Sequence, residues 1–195
     1  MSDSLALNNE TLLYNNQYEM YFNAPEPPTS EVTIGTQTWM NKNLTGDDYQ
    51  GGILTANVNY GQGDVVEYYY DWPAAMRMSN SVSGWHLPTM AEWSALATNI
   101  GGWTNAGTKL KSTYGWASGN GTDDYGFSVF PAGTGWNISA PIEKSGTLSC
   151  FWAADHGYNQ DIIFAWHTIF STGAGMSRTN GLGRSTYYTV RLVKD

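Results

Sequence analysis

The sharpest pattern of apolar and polar positions runs from Gly84 to Gly102. Pro88 closes an extended run, because a residue before proline avoids helical backbone angles. Thr89 and Glu92 then have the spacing of a capping box, each side chain bonding the other's backbone N–H. Trp93, Leu96, Ala97 and Ile100 follow at helical spacing, so one face of a short helix is apolar. Gly101 and Gly102 end it. With tryptophans on either side of its cap, this helix is expected to be the pillar against which the sheets pack.

Elsewhere the pattern is shorter-ranged. Tyr18, Met20 and Phe22 alternate as a strand would. Pro25-Glu26-Pro27-Pro28-Thr29-Ser30 reads as a stiff linker, which divides a segment 1–30 from a domain 31–195. Val32 to Met40 reads as a hairpin around a Gly-containing turn. Residues 46–64, rich in Gly, Asp and Asn, read as loop. Val65 to Tyr70 reads as a strand, and Asp71 as the cap of a helix that begins at Trp72. Residues 101–124 read as loop-rich, and Asn120 to Ser128 as a turn feeding a strand that ends at Pro131-Ala132-Gly133. Cys150 to Ala154 reads as a short core strand. Tyr188 to Val193 reads as the last strand, with Tyr188, Val190 and Leu192 on one face. These elements predict two short helices, several short strands and long loops.

Composition narrows the function. The formal net charge is −8, which argues against nucleic acid and against an anionic membrane surface. Nine Trp and 13 Tyr accompany 22 Gly, a mixture that suits a loop-rich β fold and a binding surface. With Cys150 as the single cysteine, neither an intrachain disulfide nor a cysteine-based zinc site is expected. The opening residues lack the basic-then-apolar pattern of a signal peptide. Export would then proceed by lysis, virion assembly or a signal outside this sequence. No apolar run reaches membrane-spanning length.

Taken together, several blocks form a family pattern: IGTQTWMNKNL from Ile34, GWHLPTMAEW from Gly84, LKS from Leu110, GW at Gly115, NGTDDYGFS from Asn120, FWAA from Phe151 and the terminal VRLVKD. They resemble the Fibrobacter-type major paralogous domain over roughly residues 32–195. That domain belongs with the C-type lectin-like and formylglycine-generating-enzyme-like folds. The chain resembles in particular the variable proteins of diversity-generating retroelements. The resemblance implies an α+β, C-type lectin-like fold with two short helices, small antiparallel sheets, one of them closed by the termini, and long irregular loops, among them a segment that carries ligand contacts.

In that group an error-prone reverse transcriptase alters adenines in a C-terminal segment, and Asn codons become other codons ending in a pyrimidine. Such codons cannot encode Lys, Glu, Gln, Met or Trp. Residues 151–190 contain no Lys and no Glu, and between Asp155 and Tyr188 only Gln160, Trp166 and Met176 fall outside the accessible set. The resemblance therefore implies a diversified segment 155–187. Its candidate ligand contacts are Asp155, His156, Tyr158, Asn159, Asp161, Ile163, His167, Ile169, Ser171, Ser177, Thr179, Asn180, Ser185 and Tyr187. They interleave aromatic and small polar groups, as antibody paratopes do. They are expected on one exposed, contiguous face, with Gln160, Trp166 and Met176 turned inward or holding the scaffold. Ile162, Phe164, Trp166 and Phe170 are core candidates. Pattern alone leaves open which of Ile162 and Ile163 faces out.

No catalytic role, metal site or cofactor is expected. A formylglycine-generating enzyme needs a cysteine pair, and Cys150, His156 and Asp155 would have to converge from one strand and its exit. Asp47-Asp48 and Asp123-Asp124 are weak calcium candidates that read better as turn residues. His86 reads as structural, and the sugar-binding calcium motifs of true C-type lectins are missing. The partner implied is a protein or glycan on a target cell surface, bound by a protein of a virion or an extracellular surface. The rivals are an adhesive or structural module and a degenerate relative of the enzyme fold.

Overall fold

The computed structural model describes residues 30–159 and 162–195, leaving aside the side chains of Asn159 and Phe164. The strand expected at Tyr18–Phe22 and the linker before Ser30 lie outside the described residues. Among those described, three helices and three antiparallel sheets make an α+β fold. No described helix is long and apolar enough to cross a membrane.

The first sheet joins the two ends of the domain. Strands β1 (Glu31–Ile34) and β2 (Gln37–Met40) form the expected hairpin. Its turn needs Gly35, whose φ is +63°, a backbone angle that glycine adopts without steric cost. The sheet is completed by β5 (Trp85–His86) and the C-terminal β9 (Val193–Lys194), in the order β1-β2-β9-β5. A second sheet pairs β3 (Ile53–Asn59) with β4 (Asp64–Tyr70). A third, in the order β6-β7-β8, comprises Leu148–Asn159, Ile162–Ser171 and Met176–Leu182.

Helices α1 (Trp72–Asn80) and α2 (Met90–Asn99) start where the caps place them. Asp71 accepts from the Ala74 N–H at 2.8 Å. The Glu92 N–H donates to the Thr89 hydroxyl at 3.2 Å, and the Glu92 carboxylate takes the Thr89 N–H at 2.7 Å. Trp93 is fully buried on α2, its ring 4.7 Å from that of Trp39, 5.8 Å from Phe151 and 6.3 Å from Phe127. It stands at the centre of a first core, between α2 and the strands.

A second core gathers α1 residues with Trp85, Leu87, Cys150, Trp152 and Ile163. The middle of the third sheet lies between the two. Phe151, Ala153 and Phe170 enter the first core, whereas Cys150, Trp152 and Ala165 enter the second. The C-terminal segment divides in the same way: Tyr188, Val190 and Leu192 share the second core, as their spacing predicts, and Val193 joins the first. Only Val193–Lys194 of this segment is a regular strand. The rest is held by single bridges from Tyr187 to Gly135, Tyr188 to Tyr70 and Thr189 to Phe151.

Further expectations need correction. The strand expected to follow the Asn120–Ser128 turn and end at Pro131-Ala132-Gly133 is not formed, and only single bridges join Val129 to Lys111 and Gly133 to Ser149. Residues 53–59 form β3 rather than loop, with Leu54, Ala56 and Val58 turned inward between exposed Thr55, Asn57 and Asn59. That alternation is real, but its apolar positions are few and its polar ones are poor strand formers. The region 101–124 contains a third helix, α3 (Trp103–Leu110), which starts at Gly102 with no side-chain cap. Its Gly107 has poor helix propensity, yet a Cβ there would come within 2.4 Å of the Gly175 carbonyl. Close packing, not local preference, keeps that residue small. The strand expected over Cys150–Ala154 extends from Leu148 to Asn159.

Trp93→Ala should destabilise the domain by about 3–5 kcal/mol in chemical denaturation, from lost burial and the cavity left behind. A variant within about 1 kcal/mol of wild type would show that α2 is not the pillar of the fold.

Candidate functional site

The third sheet carries the segment 155–187, and its register decides which side chains share a face. The pairs Cys150–Ile169, Trp152–His167, His156–Ala165 and Tyr158–Ile163 link β6 to β7. Ile169–Ser177 and His167–Thr179 link β7 to β8. Directly opposed residues in an antiparallel pair project to the same side. His156, Tyr158, Ile163, His167, Ile169, Ser171, Ser177 and Thr179 are thus on one face. The C-terminal segment covers the middle of that face through Tyr188, which packs on Trp152 and on His167 at ring distances of 4.5 Å each. Two parts stay open, an arm at the tip of the β6–β7 hairpin and a cavity against β8.

A bulge between Trp152 and His156 shapes the arm. The inserted residues let the Trp72 indole N–H donate to the Ala153 carbonyl at 2.9 Å and the Asp155 carboxylate accept the Met90 N–H at 2.6 Å. Asp155 therefore helps to hold the start of α2. Beyond it the His156 ring lies 4.3 Å from Trp72 and 5.2 Å from Tyr158. Tyr158 is 68% exposed, and Ile162 across the hairpin is 47% exposed.

The cavity encloses about 660 Å³ between β7, β8 and the loop around Trp136. His167, Ile169, Thr179, Asn180 and Ser185 line it, together with Thr134, Trp136, Lys144, Cys150, Leu182 and Thr186. His167 is buried, and its Nδ1 and the Thr134 hydroxyl have no hydrogen-bond partner. Burial holds the imidazole pKa down at about 4, so the ring is neutral at physiological pH. Burial also pushes the Cys150 thiol up to about 12, which leaves little of the reactive thiolate. The cavity thus offers apolar and neutral polar groups, one exposed tryptophan and the cationic side chain of Lys144.

Individual residues depart from the sequence expectation. His156, Tyr158, Ser177, Thr179 and Asn180 are exposed, and Ile169, Ser171 and Ser185 half-buried. Ile163, His167 and Tyr187 are buried instead of exposed. Strand β7 alternates so that Ile163 enters the second core and Ile162 faces out. Tyr187 packs with Tyr69 and Ala132 in a third small cluster. Asn180 lies opposite Trp166, off the shared face, and Trp166 is 37% exposed rather than inward. The expectation of one contiguous face therefore fails in part. Met176 and Phe170 are buried as expected. Gln160 and Asp161 lie outside the described residues.

The cavity wall from Thr134 to Lys144 lies outside the sequence expectation, although Trp136 sits in a sequence of Gly, Asn and Ser where a solitary tryptophan is itself a signal. Asp47 and Asp48 each accept a backbone N–H two residues on, and Asp123 accepts the Ser128 N–H and hydroxyl. These are turn contacts. Among the described residues no three His, Cys, Asp or Glu side chains gather as a metal site.

Because the folded state holds His167 neutral while the unfolded chain protonates near pH 6.5, the unfolded state binds more protons below that pH. The stability present above pH 6.5 should be lost progressively as pH falls towards 4, by on the order of a few kcal/mol. His86 has the opposite sign. Burial opposes its charge, but Glu92 and Asp195 outweigh burial and raise its pKa, so its contribution fades as pH rises. Comparing wild type with His167→Phe isolates the first effect, since the phenyl ring retains the contacts with Trp152 and Tyr188. Urea unfolding at pH 7.5 and pH 4.5 should show a smaller acid loss in the variant. Equal losses would contradict the assignment.

No curated protein and no solved structure matches the chain. Residues 32–194 do match the family described as the Fibrobacter succinogenes major domain. The match spans β1 to β9, and with them the capped helix α2 and both cores. This chain belongs to the Fibrobacter succinogenes major domain family.

Proposed function

We propose that the domain is a non-enzymatic binding module with a C-type lectin-like scaffold, in which segment 155–187 is a diversified recognition surface of the kind found in the variable proteins of diversity-generating retroelements. The observation that carries this reading is the register of β6, β7 and β8. It gathers most of the implied contact residues on one sheet face, open at the hairpin arm and at the cavity. Scaffold and surface are separable there, since the same strands that anchor Phe151, Trp152 and Phe170 in the cores expose Tyr158, Ser177 and Thr179. Tyr158 and Trp136 bring large contact area at low rotamer entropy, so they should dominate affinity. The partner is a protein or glycan on a target cell, presented to a virion or an extracellular surface.

Replacing Tyr158, Ser177, Thr179 and Asn180 together with other pyrimidine-ending-codon residues should leave the fold intact, each change costing less than about 0.5 kcal/mol. Ile163→Ala, on the buried side of β7, should cost about 2–5 kcal/mol. Thermal melts of the two variants test the separation, and an unfolded quadruple variant would defeat it. Sequencing around the gene tests diversification itself. The proposal requires a neighbouring reverse transcriptase gene and a near-identical repeat that differs at adenines. A locus with neither is incompatible with it.

A further inference from the structure

A different cavity lies outside segment 155–187, and it stands independently of that proposal. It opens beside the β3–β4 hairpin and encloses about 360 Å³, within the range of small-ligand sites. We propose that it is a binding site for a neutral sugar ring, a pyranose, stacked on aromatic side chains and hydrogen-bonded to the Glu67 carboxylate.

Three aromatic rings make one wall. Phe130 lies 4.8 Å from Tyr60 and 5.1 Å from Tyr114. The floor is polar and buried. Glu67 is 7% exposed, and its carboxylate accepts the Tyr60 hydroxyl at 2.9 Å and the Asn43 amide at 2.8 Å. Each of its oxygens therefore has one partner and keeps capacity for another donor. Burying a carboxylate is costly unless donors surround it. A ligand that presents hydroxyl groups supplies them.

The charge balance selects the class of ligand. The Asn43 oxygen accepts the Arg191 Nε–H at 2.9 Å, so one amide bridges the Glu67 carboxylate to a buried guanidinium. Lys42 adds a positive charge at the exposed rim. A cation entering the cavity meets Arg191 and Lys42, and an anion meets Glu67. A neutral polyol avoids both conflicts. The apolar C–H face of a pyranose suits the Phe130 and Tyr114 rings, and its hydroxyls suit Glu67 and the Gln62 amide at the mouth.

Amide-detected NMR titration of the full chain tests this, with methyl glycosides of glucose, mannose and galactose as probes at millimolar concentration. At least one glycoside should shift the side-chain amides of Asn43 and Gln62, with a dissociation constant on the order of 1 mM. Tyr114→Ala, a half-buried position, should weaken that binding at least about tenfold while the protein stays folded, its melting temperature lower by no more than a few degrees. Glu67→Gln should do the same if it folds. Three results would overturn the proposal: no glycoside shifts these amides, binding is unaltered in Tyr114→Ala, or tetramethylammonium shifts them while the glycosides do not.

Discussion

The fold depends on one buried cation. Arg191 is 1% exposed. It donates to the Met40 carbonyl at the end of β2, to the Phe127 and Ser128 carbonyls in the turn after α3, and to Asn43. Its guanidinium lies over Phe127 and Phe151, at 4.9 Å and 5.6 Å from the ring centres. Burial lowers its pKa to about 10, so the charge persists at neutral pH. Removing one side of such a network leaves buried carbonyls without partners, and costs far more than a surface ion pair contributes. The turn is shaped to meet it. Asp123 and Ser128 adopt positive φ angles of 48° and 54°, which are unfavourable for these residues, and the Asp123 carboxylate fixes the turn by accepting the Ser128 N–H at 2.8 Å.

This arrangement ties the C-terminal segment between the two cores. Leu44 donates its N–H to the Val190 carbonyl at 2.8 Å, Met40 to Leu192 at 3.0 Å, and Tyr70 to Tyr188 at 2.9 Å. Lys111 plays a similar part for the turn between β7 and β8. Its buried ammonium donates to the carbonyls of Gly119, Ser171 and Gly173 at 2.6, 3.0 and 2.8 Å, and lies 4.8 Å from the Trp116 ring centre. Both cations are satisfied mainly by backbone carbonyls, most of them from distant parts of the chain. The middle of the third sheet is therefore clamped on both faces. Its edge strand β8 exposes Ser177, Thr179 and Asn180, and its hairpin tip exposes Tyr158.

What could be read from the sequence was the part written locally. The Thr89–Glu92 box, the Asp71 cap and the Gly35 hairpin each involve residues within a few positions of one another, and each forms where expected. The third helix could not be read, because Gly107 answers to a backbone carbonyl 68 residues further along the chain at Gly175. Strand β7 posed a different problem. Both of its faces are buried near its middle, so its apolar positions run almost continuously and lose the period of two. Hence Ile162 and Ile163 cannot be told apart by pattern, and His167, on the expected face, is buried under Tyr188 while Trp166 is partly exposed. The cavity wall at Trp136 belongs to a loop brought to β8 by the Gly135–Tyr187 bridge, a contact that no local pattern announces.

The account rests on a clamped centre and a freer edge within one sheet, and native-state hydrogen exchange measures that difference directly. Leu44, Met40, Tyr70 and Tyr188, whose amides bond to or from the terminal segment, should exchange only through global unfolding, all with the same free energy. The amides that β8 donates to β7 should exchange through local opening at a clearly lower free energy. The contradictory result is the reverse order, in which the terminal segment opens before β8. The C-terminal clamp would then not be what holds the domain together.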